Sequence, residues 1–281
     1  MKFLSFTRDG RASYGVLLAG DQLADLGASL PQHADLRSAI DALHLHGLLE
    51  IAATLKPGLL LTDVELLPPI PQPRKIICVG LNYKAHAAEG GFKVPVFPST
   101  FIRLQDTLVA SGGAIVMPGM SSQLDFEGEL AIVIGTGGRN IRAADALKHV
   151  FGYACFNDGS LRDIQFGHSL AAGKNFPSTG GFGPFITSAD EIPDPARLSL
   201  TTRLNGATVQ HQSLDDMIFD VPTILEYVSS WTPLSPGDVI ATGTPAGVGF
   251  ARKPPLWMKP GDVIEVEISR LGVLRNVVTA A

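Results

Sequence analysis

The stretch Gln123–Ile134 constrains this chain more than any other. It reads Gln-Leu-Asp-Phe-Glu-Gly-Glu-Leu-Ala-Ile-Val-Ile, and its apolar, partly β-branched end predicts a buried strand. Residues two apart on a strand share a face, so Glu127 and Glu129 project together, roughly 6–7 Å apart at the backbone. Gly128 between them adds no bulk. Two carboxylates entering a hydrophobic strand repel each other and resist leaving water. A hard cation would satisfy both, and carboxylate donors suit magnesium, calcium or manganese. The alternative is a sheet margin at which both glutamates stay in water. Glu265-Val266-Glu267 has the same spacing, but there Ile264, Val266 and Ile268 alternate cleanly as a core face. Those glutamates read as an ordinary solvated face, so E-x-E alone does not define a site.

The remaining sequence bounds the setting. A chain of 281 residues allows one large domain, or a large domain with a small appendage. With 45% hydrophobic and 17% charged residues it can bury a sizeable core. A net charge of -5 without a basic cluster argues against nucleic acid as a partner. Cys78 and Cys155 both lie in apolar runs and read as buried free thiols, with a bridge left open. No apolar stretch reaches membrane-spanning length and no signal peptide is evident, so the expected location is cytoplasmic.

Read in order, residues 1–67 form a small β-rich module with strands at Met1–Phe6, Ser13–Leu18 and Gln22–Asp25 and a helix over Leu36–Leu55. The proline-rich run Leu67–Pro73 marks the boundary, and residues 74–281 form the main domain. Strands are predicted at Lys75–Gly80, Thr100–Leu104, Leu108–Ala110, Leu130–Ile134 and Phe151–Phe156. The turn Asn157–Ser160 follows, and Asp158 in it can cap a helix over Leu161–Gln165. Gly173–Pro184 is rich in turn formers. Asn205-Gly206 predicts a hairpin, Val221–Ser230 a helix, and Val239–Ala241, Val263–Ile268 and Val273–Val278 the closing strands. Strands outnumber helices, which favours a mixed, mainly antiparallel β-rich α+β architecture over a Rossmann fold.

Asp158 ends an apolar strand, and with Glu127 and Glu129 it would make a three-carboxylate set. Here the motifs become specific. Asp125–Gly135 resembles the metal-binding strand of the fumarylacetoacetate hydrolase family, and Asn157–Gln165 is similar to that family's second motif. Val79–Tyr83, Gly173–Phe176, Asp216–Phe219 and Thr242–Gly249 match it in order, from Lys75 towards the C-terminus. The resemblance implies a distorted β-roll or barrel, a homodimer, and a divalent cation, magnesium first, on Glu127, Glu129 and Asp158. It implies a small 2-oxo or 2,4-dioxo acid as substrate, contacted by Arg162, Gln165, Lys174 and Thr244. His86 and Glu89 match an H-x-x-E pair found on a mobile lid in hydrolytic members.

Those residue types suit the chemistry. A 2-oxo acid can chelate a cation, which then stabilises an enolate as a Lewis acid. Lys174 can hold negative charge and Arg162 can fork onto a carboxylate; each can equally be a surface cation. His86 and Glu89 lie one helical turn apart, so the carboxylate can orient the imidazole as a base; the alternative is an exposed helix pair. Arg103 stands where many relatives carry lysine, at a position expected near the substrate's side groups. His168 is a further candidate contact. The leading reading is a metal-dependent hydrolase of a carbon–carbon bond in an acylpyruvate-like acid. An oxaloacetate-type decarboxylase, or a hydratase, isomerase or lyase on a related acid, comes second. A non-catalytic 2-oxo-acid-binding module and a structural β protein remain as readings from other classes.

Overall fold

A computed structural model describes residues 1–281. Three open sheets organise it, none closed into a barrel: one of twelve strands, one of five and one of two. The large sheet is centred on Gly128–Ile134, which pairs antiparallel with Val150–Asp158 and with Val239–Ala241. Beyond Val150–Asp158 lies Gly180–Ser188, and beyond Val239–Ala241 lie Ile76–Gly80 and the edge strand Ser99–Arg103. Pairing is mainly antiparallel, as expected, although Val239–Ala241 runs parallel to Ile76–Gly80.

Two-residue alternation sends the central strand into two cores. Leu130, Ile132 and Ile134 pack with Leu200, Val266 and Ile268 of the five-stranded sheet and with Ile224 and Val228 of the helix Val221–Trp231. Ala131 and Val133 face the other way, into a cluster with Phe3, Phe151 and the helix Leu36–Thr54. Glu129 continues the face of Ala131 and Val133, while Gly128 continues the face of Leu130. A Cβ at Gly128 would stand 2.1 Å from Thr202 Oγ1, so the second sheet packs too closely for any other residue.

The strands Gln22–Asp25, Val239–Ala241 and Val263–Ile268 fall on the residues predicted. The helix Leu36–Thr54 is broken by His44 at φ 53°, which periodicity did not reveal. Ala143–His149 forms a 3-10 helix. The larger correction concerns Gly173–Pro184, read as turns: Gly180–Ser188 is a buried nine-residue strand. Gly180 and Gly181 are packing requirements, since their Cβ atoms would meet Arg103 Nη2 and Asn276 Oδ1, each at 2.8 Å. Lys2–Arg8 pairs with this strand through Lys2–Thr187 and Phe3–Ile186, so the large sheet runs on into residues 1–67. Both cysteines are free and buried.

Candidate active site

Glu129 opens the site from the central strand. Glu127 lies just before the ladder begins, in a short break where side chains replace sheet hydrogen bonds. Its N–H donates to Asn157 Oδ1 at 3.0 Å, and the Gly128 N–H donates to Gln210 Oε1 at 3.0 Å. Asp158, at the end of Val150–Asp158, is held alongside by its own N–H, which donates to Glu127 O at 2.9 Å. The carboxylate oxygens of Glu127, Glu129 and Asp158 come within 4.8 Å of one another, and all three residues are buried.

The ion pairs around them alternate in sign. Asp125 receives Arg162 Nε at 2.8 Å, and Arg162 Nη2 reaches Glu127 Oε1 at 2.5 Å. Lys174 Nζ bridges Glu127 Oε2 at 2.5 Å and Asp158 Oδ2 at 2.6 Å, and Arg103 Nη1 closes the row on Asp158 Oδ1. Burial alone would raise the Glu127 carboxyl, but Lys174 and Arg162 hold it well below the usual carboxylate range. Burial would likewise lower the Lys174 ammonium, yet Asp158 and Glu127 raise it above its ordinary value. Glu129 stands outside this row. It has no cationic partner and accepts only the Gly243 N–H, at 2.9 Å. Burial, with Asp158 and Glu127 as like-charged neighbours, pushes its carboxyl well up. A buried carboxylate without a counter-charge, facing two others, fits a hard divalent cation, because all three donors are oxygens.

A cavity of about 260 Å³ adjoins the cluster. It is lined by Glu127, Glu129, Lys174, Arg162, Gln165, Thr244 and His86, so seven of the eleven residues singled out from sequence meet there. Asp158 lies behind Lys174. Glu89 lies behind His86, whose Nδ1 is 2.9 Å from Glu89 Oε1, and Glu89 is anchored by the Gly247 N–H at 2.9 Å. With the proton on Nδ1, the imidazole donates to Glu89 and keeps its lone pair on Nε2. Gln165 accepts from Arg162 Nη1 at 2.9 Å, and Thr244 Oγ1 accepts from Gln210 Nε2 at 2.8 Å.

Three sequence expectations change. Asp158 caps no helix, because the helix Arg162–Gly167 starts from Leu161 without a side-chain cap. Arg103 does not line the cavity; it is buried, and its guanidinium also meets Gly159 O at 3.1 Å and Thr179 Oγ1 at 2.8 Å. His168 is exposed at the end of its helix and also lies off the cavity. Asp125 went unnoticed as a site residue. It is fully buried, and accepts from the Gly249 N–H at 2.7 Å and the Phe250 N–H at 3.1 Å as well as from Arg162. The signal was available: Asp125, Glu127 and Glu129 share one parity, three acids at the two-residue repeat.

Buried carboxylates around a cation-ready pocket, with a His–Glu pair on its wall, define a β-rich protein of the carboxylate-bound metal class. The comparisons with known proteins resolve that class further. The family model for the C-terminal domain of fumarylacetoacetate hydrolase matches residues 75–279, and the chain belongs to that family. It is 40% identical over 218 residues to the mitochondrial oxaloacetate tautomerase fahd2 of Xenopus laevis, covering 76% of this chain and 68% of that one. The solved fumarylacetoacetate hydrolase of Exiguobacterium antarcticum superposes with a TM-score of 0.87 at 39% identity, over 100% of both chains. Maleylpyruvate hydrolase from Sphingobium, solved with manganese(II) and pyruvate, gives a TM-score of 0.81 at 30% identity, over 100% of both chains.

Proposed function

We propose that the protein is a divalent-metal-dependent hydrolase that cleaves a carbon–carbon bond in an acylpyruvate-like 2,4-dioxo acid, with magnesium as its cation. The observation that carries this reading is buried His86 on the wall of the cavity that Glu127 and Glu129 enter, held at 2.9 Å by half-buried Glu89 behind it. Binding a 2-oxo acid needs no base, whereas hydrolysis needs one to activate water. Glu89, fixed by Gly247, orients the imidazole, and His86 takes the proton of the attacking water. Lys174 offers its ammonium to negative charge growing on the substrate, and Arg162 keeps Glu127 in place. Gln165 and Thr244 supply polar edges that orient the acid. When bound on Glu127, Glu129 and Asp158, a divalent cation supplies Lewis-acid stabilisation of charge on the substrate's oxygens.

A second reading is isomerisation or decarboxylation of an oxaloacetate-type acid, of which keto–enol isomerisation is supported by the name of the Xenopus relative. Decarboxylation needs mainly an electron sink and leaves His86 largely idle. The test is kcat/KM on acetylpyruvate and on oxaloacetate, with product identification, saturating magnesium and confirmed folding. His86→Ala is expected to lower acetylpyruvate hydrolysis by about 100- to 10,000-fold and to spare oxaloacetate decarboxylation. A parallel fall in both makes His86 a positioning residue, and no fall in either removes it from the chemistry. Keto–enol conversion of oxaloacetate without acetylpyruvate cleavage replaces the first reading with the second.

A further inference from the structure

Two kinds of side chain meet at the cavity. In the charged cluster, the carboxylates of Asp125, Glu127, Glu129 and Asp158 face the cations Arg103, Arg162 and Lys174, each of which is already paired. Fully ionised, that cluster carries one net negative charge. A divalent cation reverses it to one net positive charge, which a single substrate carboxylate neutralises. A second carboxylate would enter a buried site whose three cations are all paired with carboxylates, Lys174 alone among them also turned to the reacting end of the substrate, and burying an unpaired charge is costly. Glu89 behind His86 adds a further negative charge.

The rest of the lining is apolar: Phe92, Phe101, Phe166, Leu170 and Phe250, with Phe166 and Phe250 edge-to-face at 5.4 Å between centroids. This wall lies against the cluster's cations, with Arg162 4.5 Å from the Phe250 ring and Lys174 5.2 Å from the Phe101 ring. Phe92, Phe166 and Leu170 are 42%, 56% and 40% exposed, an unusual concentration of large apolar side chains at one mouth. The cavity, at about 260 Å³, sits at the small end of ligand pockets, so one short chain can touch both the charged cluster and the aromatic wall.

We propose that the site selects a 2-oxo acid carrying one carboxylate and an apolar tail, the tail packing on Phe92, Phe101, Phe166, Leu170 and Phe250. The proposal rests on the 2-oxo-acid reading and goes against a dicarboxylate such as oxaloacetate as the preferred ligand. Its selectivity has two sources: the aromatic wall favours the tail, and the exhausted charge balance rejects a second carboxylate.

Calorimetric titration of the manganese-loaded protein with three acids that lack a cleavable 4-oxo group tests it without turnover. The acids are pyruvate, 2-oxohexanoate and 2-oxoadipate, the last two equal in length and differing only in the terminal carboxylate. Each buried methylene contributes up to about fourfold in affinity, and 2-oxohexanoate has three more than pyruvate. It is expected to bind at least about tenfold more tightly than pyruvate, and 2-oxoadipate no more tightly than pyruvate. Phe166→Ala is expected to narrow the ratio between 2-oxohexanoate and pyruvate. Pyruvate binding with 2-oxohexanoate no tighter, or 2-oxoadipate equal to 2-oxohexanoate or better, overturns the tail selection and leaves the 2-oxo-acid reading standing. No binding by any of the three overturns both.

Discussion

Glu127-Gly128-Glu129 and Glu265-Val266-Glu267 have the same spacing and opposite fates. Glu265 and Glu267 lie in the five-stranded sheet, where Arg275 and Arg203 on the flanking strands reach them at 3.5 and 2.6 Å. Their side chains stay 26% and 42% exposed, so those pairs are screened and each contributes roughly 0–1 kcal/mol. Glu127 and Glu129 are 5% and 1% exposed. The difference lies in what covers each face. The helix Leu170–Lys174 and the segment carrying His86 close over the first pair, whereas the second faces solvent. Spacing decides that two carboxylates point together; the covering elements decide whether they need a cation.

Four substitutions put this contrast to the test. Glu127→Ala is expected to have the largest effect, about 3–5 kcal/mol of lost stability, because it removes the carboxylate shared by Arg162 and Lys174 and leaves each buried cation with one carboxylate partner, Asp125 and Asp158. Denaturant unfolding measures it, and a loss under about 1 kcal/mol would place the pair in the solvated class of Glu265 and Glu267. Glu129→Gln has no cationic partner to strand, so the fold is expected to survive while magnesium affinity, read by calorimetry, falls at least about 100-fold. An unchanged affinity would remove Glu129 from the cation site. Gly128→Ala is expected to cost about 1–3 kcal/mol through its clash with Thr202, with the melting temperature as readout. A neutral result would mean that the two sheets can move apart there. Glu267→Gln closes the series, with an expected change within about 1 kcal/mol and no effect on magnesium binding. A coupled loss of metal affinity would show that the five-stranded sheet takes part in the site.

Much of the site was legible because it obeys short-range rules. The two-residue repeat placed Glu127 and Glu129 on one face, and the three-residue helical spacing placed Glu89 against His86. The missed parts depend on partners distant in sequence. The resemblance marked Arg103 as a substituted position, but only the fold shows it reaching Asp158 across 55 residues, away from the substrate. Asp158 has the local signature of a cap, and its actual partners, Arg103 and Lys174, lie on other elements. Gly180–Ser188 reads as turns because glycine is scored for its backbone freedom, whereas here the guanidinium of Arg103 excludes a side chain.

The mixed edge of Lys2–Arg8 has a consequence for how the chain is made. Ser5, Phe6 and Thr7 pair with Leu67, Leu66 and Glu65, partners synthesised soon afterwards. Lys2 and Phe3 pair with Thr187 and Ile186. At roughly 5–20 residues per second, that second half of the strand waits on the order of ten to forty seconds at the ribosome. Over that interval its hydrogen-bonding groups stand open to any passing strand, a hazard that unpaired edges carry. Glu127, Glu129 and Asp158 are all translated before Ile186 and Thr187 close that gap, so the acids of the cation site exist while the sheet that frames them is still open.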